Sequence, residues 1–305
     1  MTVSDTSTRV GPLLRLWRNE RKVSQADLAL CADTSARHIS FIETGRSRPS
    51  RELLERLADR LQVPIRQRNA LLVAAGYAPV YQETSLEAPR MRAVKEAVDR
   101  ILGVHMPFPA LAVDADEHIL AMNRSTELLL RETVQSNLLV PPVNVMRMAL
   151  HPAGMVRHVL NAEEWKAHLL SRLYRQAVYS NRESLWALYN EMAGYRIPDE
   201  SGNHELSDSI VALIELRAFG TVLRLFSTIT TFGATTDVTV AELSLETLHP
   251  ADDHTASVFQ QVVKAAGDSY GVSTISTTAE AKVNPGPDPT SKTASPGVTA
   301  SVRHR

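Results

Sequence analysis

The sequence holds one cysteine, Cys31, in 305 residues. Neither an internal disulfide nor a thiolate metal centre can be built from it. No stretch approaches the roughly 20 uncharged apolar residues of a bilayer-spanning helix, which excludes an integral helical membrane protein. The N-terminal MTVSDTSTRVGP lacks the apolar core of a signal peptide, so a bacterial-type cytoplasmic protein is expected. Catalytic signatures are missing as well: there is no GxSxG, no P-loop and no GxGxxG after a strand. His151, His158 and His168 cluster in sequence without HExxH spacing or a positioned acidic partner. The expectation is a protein with no bound metal, no cofactor and no catalytic site.

Hydrophobic residues at 44% and charged residues at 22% are ordinary globular values, and the length suits two domains. The net charge of -1 conceals a segregation: residues 1–80 carry 13 Lys and Arg against 8 Asp and Glu, and the remainder carries 20 against 26. The basic part is the one suited to a polyanion. A composition break at GYAPVYQETSLEAPR, 76–90, marks a connector. The tail from 271 onward is rich in Ser, Thr and Pro and contains no Leu, Met or aromatic residue to bury. The expected organisation is a helical domain at 1–80, a linker at 81–90, a second domain at 91–265 and a disordered tail at 266–305.

Residues 12–75 read as five short helices. Pro12 suits a first turn, with Leu13, Leu16 and Trp17 as its apolar stripe. Ser24 and Ser50 are N-cap candidates for the second and fourth helices, the third begins near Ser35, and the fifth runs from about Arg66 to Ala75. Two short helices with small Ala29 at their junction and Leu28, Ala32, Ile39 and Ile42 as shared core describe a helix-turn-helix. The turn carries Asp33, where DNA-binding versions often have Gly. The outer face of the third helix presents Ser35, Ala36, Arg37, Ser40 and Phe41 to base edges. Arg37 suits guanine O6 and N7, and Ala36 or Phe41 suits a thymine methyl. Arg18, Ser24, Gln25, Arg46 and Arg48 are the phosphate-contact candidates. The alternative is a solvated surface in which Arg37, Arg46 and Arg48 pair with Glu43 and Glu52.

In the second part, ALAVD and HILAMN form a hairpin around Ala115 and Asp116, with Asn123 placed to cap the following helix. Residues 161–193 are helical, with Asn161 and Glu164 in a capping arrangement and Trp165, Leu169, Leu173 and Ala177 recurring every four residues. After Pro198 and Gly202 the period changes. Segments 210–218, 221–231 and 236–246 read as antiparallel strands joined by Phe219-Gly220 and Phe232-Gly233 turns. The fold class is an α+β domain with an antiparallel sheet of about five strands. Helices across such a sheet can enclose an apolar cavity, for which Met106, Phe108, Leu111, Met122, Met146, Met148 and Phe226 are candidate lining residues; ordinary core is the alternative. Arg147, flanked by two methionines, meets either a ligand carboxylate or a neighbouring glutamate.

SQADLALCADTSARHISFIETGRSRPSRELLERLA resembles the Xre/Cro-type helix-turn-helix. RHISFIETGRSRPSRE followed by RNALLVAAGYAPVYQE is similar to the MmyB-like transcription regulators, as are NVMRMALHPAG and FSTITTFGATTDVTVAELSLETLHPAD further on. The resemblance covers about 12–255. It implies a five-helix DNA-binding bundle and a PAS-like ligand-binding domain, hence a transcription regulator acting on double-stranded DNA. The expected partners are an inverted-repeat operator, a second copy of the chain as a homodimer, and a small fatty-acid-like or acyl ligand. A pocketless dimerisation platform and an enzyme fused to a DNA-binding module are the competing readings.

Overall fold

Serine side chains start three of the N-terminal helices. Ser24 accepts from the Asp27 amide, Ser35 from that of His38 and Ser50 from that of Leu53, each satisfying a backbone donor that the first turn leaves free. The computed structural model describes residues 9–180, 182–197, 212–233, 235–267 and 272–274. The first five helices are α1 (Val10–Glu20), α2 (Gln25–Cys31), α3 (Ala36–Glu43), α4 (Arg51–Arg60) and α5 (Ile65–Ala74). Asp33 takes the left-handed conformation between α2 and α3, φ 51°. At the end of α3, Gly45 has φ 74°; its amide donates to the Ile42 carbonyl and that of Arg46 to Phe41, a Schellman arrangement.

Leu28, Ala29, Ala32, Ile39 and Ile42 form the expected shared core with Leu14, Trp17, Leu54, Leu57 and Leu61. The stripe on α1 is rotated from the expected one. Leu16 is 44% exposed, and the inward positions are Gly11, Leu14 and Trp17. The reason is a backbone contact that periodicity cannot register. A Cβ on Gly11 would stand 2.5 Å from the Ile42 carbonyl oxygen and 2.7 Å from that of Glu43, so only glycine lets α1 lie against the end of α3.

The connector is docked rather than free. The Asn69 side chain on α5 accepts from the amides of Val80 and Tyr81 and donates to the Tyr81 carbonyl. Beyond it come α6 (Arg92–Val104), the hairpin strands β1 (Ala110–Val113) and β2 (Ile119–Asn123), α7 (Arg124–Thr133), α8 (Val145–Leu150), α9 (Ala162–Ser180) and α10 (Glu183–Gly194). Then follow β3 (Leu213–Ala218), β4 (Thr221–Thr231), α11 (Val238–Ala241), β5 (Ser244–Pro250), α12 (Asp253–Ala265) and β6 (Val272–Thr274). The sheet order is β3-β4-β5-β1-β2-β6 with every neighbour antiparallel. One face packs on α6 through Val98, Leu102, Ala112 and Leu245. The other carries the large core built with α7, α8, α9, α10 and α12.

Asn123 caps α7 as expected, and Phe219-Gly220 is a turn with both φ values positive. Three expectations move. The strand expected at 236–246 is displaced to Ser244–Pro250, because Asp237 caps the short α11 through the Thr239 amide; Phe232-Gly233 is then not a hairpin turn. Asn161 fastens α9 to the sheet, accepting from the Glu215 amide and donating to the Leu213 carbonyl. The segment assigned to a disordered tail contributes β6, an edge strand paired with β2 that adds to the five expected strands. Pro198, Gly202, residues 210–211 and most of that tail lie outside the described residues.

Candidate functional site

On α3, Ser35, Ala36 and Arg37 are exposed and Ser40 and Phe41 half-buried, so all five expected base-contact residues share the outer side of one helix. The Arg37 guanidinium carbon lies 5.3 Å from the Phe41 ring centroid and that of Arg46 6.0 Å, which gathers two cations around one aromatic ring. Arg48 stacks over Tyr77 at 4.4 Å and donates to the Gly76 carbonyl. Among the described residues none of these three arginines makes a salt bridge. The pairing with Glu43 and Glu52 that the alternative needed is not formed there.

Glu43 is occupied elsewhere. Arg18 grips it through Nε to Oε1 at 2.6 Å and Nη2 to Oε2 at 3.0 Å, and Gln25 donates to Oε2 at 2.8 Å. Burial pushes the Glu43 carboxyl up, but the Arg18 and Gln25 hydrogen bonds outweigh it and leave it below its ordinary value. Arg18 and Gln25, expected at phosphates, are thus committed to a buried pair that ties α1, α2 and α3 together. The rotation of α1 that brings Gly11 inward also turns Arg18 inward. Ser24 is used as a cap and donates to Asp27 Oδ2. Of the expected contact residues, the exposed arginines left are Arg37, Arg46 and Arg48.

In the second domain, the sheet face opposite α6 opens into a partly open apolar cavity. Leu111, Leu129, Leu130, Met146, Met148, Met155, Trp165, Leu169, Ile214 and Leu248 supply the apolar wall. Three of the expected lining residues, Leu111, Met146 and Met148, are there. Met122, on β2, packs in the same apolar core without lining the cavity. Phe108 packs edge-on against Phe259, and Met106 accepts from the Ser125 hydroxyl. Phe226 stacks on His249 because strand alternation sends Leu223, Leu225 and Ser227 to the cavity side and Phe226 to the other.

Arg147 does not reach the cavity. It is the one exposed position of α8, 46% exposed, and pairs with Glu191 at 2.7 Å. Flanking methionines suggest a buried arginine in sequence, yet both flanks turn inward and the intervening residue outward. Glu191 also accepts from the Tyr195 hydroxyl, whose pKa is pushed up to about 12 by burial and by that carboxylate.

The polar end of the cavity belongs to His168 and to Arg172 and Glu246, which the sequence reading passed over. Arg172 donates through Nη1 to Glu246 at 3.0 Å and through Nη2 to Glu117 at 3.4 Å, and its buried Nε finds no acceptor among the described residues. Burial pushes the Glu117 carboxyl up, against the Arg172 charge. Burial pushes His168, also in the lining, down, aided by Arg172. The signal was present in sequence: Trp165, His168, Leu169 and Arg172 follow i, i+3, i+4, i+7, one helical stripe.

Residues 94–262, more than half of the chain, match the family model of the MmyB-like transcription regulator ligand binding domain. The chain belongs to the MmyB-like transcription regulators. Residues 9–71 of this MmyB-like regulator match a helix-turn-helix domain, the segment holding α1 to α4 and most of α5. The cavity lies within the family's ligand-binding domain. No curated protein matches the chain. Among the described residues no helix is long and apolar enough to cross a membrane, and no group of three His, Cys, Asp or Glu is placed to hold a metal ion.

The two domains of the MmyB-like regulator meet through α5 and α9. Arg66 on α5 donates to both Glu242 oxygens, at 2.7 and 2.9 Å, and to Glu83; these hydrogen bonds, Glu242 foremost, raise its pKa. Arg182 joins the same Glu242 at 2.6 Å to Asp116 at 3.2 Å. Gln67 donates to the Ser180 carbonyl at the end of α9, and Arg21 lies over the Tyr179 ring at 4.7 Å. One end of α9 therefore walls the cavity and the other end docks on the helix-turn-helix domain.

Proposed function

We propose that this regulator binds an inverted-repeat operator as a homodimer, reads bases with Arg37 and its neighbours on α3, and holds an acyl-type ligand in the cavity of its second domain. The observation that carries the DNA part is the exposed pair Arg37 and Arg46 beside half-buried Phe41, a pair whose charge no carboxylate of the described residues neutralises. Two recognition helices are needed because one reads only a few base pairs, and half-sites roughly 34 Å apart place both on one DNA face. Exposed Ile101 and Val104 on α6 support a self-association surface. The almost wholly apolar wall supports a ligand with a long apolar arm, which strengthens binding by up to about 0.8 kcal/mol per CH2 until the cavity is full. Because α9 lines the cavity and docks on the DNA-binding domain, a ligand that favours one placement of α9 changes DNA affinity.

The test is footprinting and gel-shift titration of the full chain on promoter DNA. Arg37→Ala is expected to relax preference at one base position and cost about 1 to 3 kcal/mol, whereas Arg46→Ala weakens all sequences alike and lowers the salt slope by about one. Unchanged base preference in Arg37→Ala would remove that residue from the reading face.

A further inference from the structure

The ionisable side chains lining the cavity are His168, Arg172 and Glu246, and Glu117 stands directly behind Arg172. Arg172 is the only permanent cation among them, and it already faces two carboxylates. Its side chain is 15% exposed and that of Glu246 15%, so the pair sits where water screens little. An arginine in this position offers hydrogen-bond donors but no unmatched charge.

We infer that the cavity selects a neutral acyl headgroup, such as an ester, amide, lactone or ketone carbonyl, over a free carboxylate, with Arg172 as the donor to the carbonyl oxygen. The inference rests on the acyl-ligand reading above and names the chemistry of its polar end. A carboxylate entering beside Glu246 would be an additional buried anion on an arginine whose charge is already met, and a buried like charge without its own partner is strongly disfavoured. A carbonyl oxygen brings no charge and accepts from a guanidinium whose five donors are not all used; the Nε–H has no acceptor among the described residues, and the Nη2 bond to Glu117 is long. Buried donors without acceptors cost free energy that an incoming oxygen recovers. An ammonium headgroup is disfavoured by Arg172 itself. Glu117, whose carboxyl burial pushes up, stands behind the guanidinium and adds no cation to the site.

The experiment is calorimetric titration of the full chain at neutral pH with four probes of one chain length: decanoic acid, methyl decanoate, decanamide and decylamine. The ester and amide are expected to bind more than about tenfold more tightly than the acid and the amine. Glu246→Gln, which removes the matching charge while keeping the shape, is expected to shift the preference towards the acid by about tenfold or more. Its circular dichroism and melting curve establish that it folds, and Glu246→Met serves the same purpose if it does not. Decanoate binding more tightly than its methyl ester in the unaltered protein would overturn the headgroup assignment alone, as would an amine preference. Binding by none of the probes would overturn the acyl-ligand reading and this inference with it. A wild-type ester preference unaffected by loss of the Glu246 charge would refute the electrostatic origin argued here.

Discussion

Glu43 shows how one side chain can decide the fate of two others. It is almost fully buried on α3, and its carboxylate holds Arg18 and Gln25, which would otherwise add to the basic surface. Breaking a buried pair by deleting one partner leaves an uncompensated charge, so Glu43→Ala is expected to destabilise the protein by about 3 kcal/mol in urea unfolding at neutral pH. The pH dependence has a defined sign. Because the folded-state pKa lies below the ordinary carboxylate value, about 4.3, the Glu43 contribution is complete above that pH and is lost as pH falls through the folded-state value. The stability gap between wild type and Glu43→Ala should therefore narrow on acidification, and a gap independent of pH from neutral to strongly acid would show that the pair is not ionised.

At the scale of the element, the hairpin β1–β2 and helix α7 are joined by one amide. Asn123 Oδ1 accepts from the amides of Ala110 and Thr126 and from the Thr126 hydroxyl, and its Nδ2 donates to the carbonyls of Leu102 and Phe108. It therefore ties α6, β1 and α7 around the fully buried strand end. Removing it takes away an N-cap and leaves several buried backbone groups without partners, so Asn123→Ala is expected to cost about 3 kcal/mol. Asn123→Asp should recover the accepting half only. Equal unfolding midpoints for Asn123→Ala and wild type would contradict this account. The helix-turn-helix side should keep its DNA affinity in either variant, because its core contains no residue from this hairpin.

Across the whole molecule, the contacts that matter are those joining the domains. Glu242 bridges Arg66 of the DNA-binding bundle and Arg182, which continues to Asp116 in the turn beside Glu117 and so to Arg172 at the cavity. Glu242→Gln is expected to cost about 1 kcal/mol, these being partly exposed charged hydrogen bonds, and to speed amide exchange at the start of α5 and in the 114–118 turn. Base preference should stay as in wild type, and exchange confined to one domain would argue against a shared linkage. Local chemistry was legible in the sequence by itself. The Ser24 and Ser50 caps, the Asp33 turn, the Asn123 cap and the outer face of α3 depend on neighbours a few residues away, and so do the family motifs. What only the tertiary structure decided is which way each polar side chain points once elements pack. Gly11 against the α3 carbonyls turned Arg18 inward, and α8 turned Arg147 out to Glu191. The pairing of β5 between β1 and β4 moved a strand beyond α11, and α9 carried Arg172 into the cavity. Periodicity records which residues share a face of one helix or strand; it holds no information on the distant backbone that the face will meet.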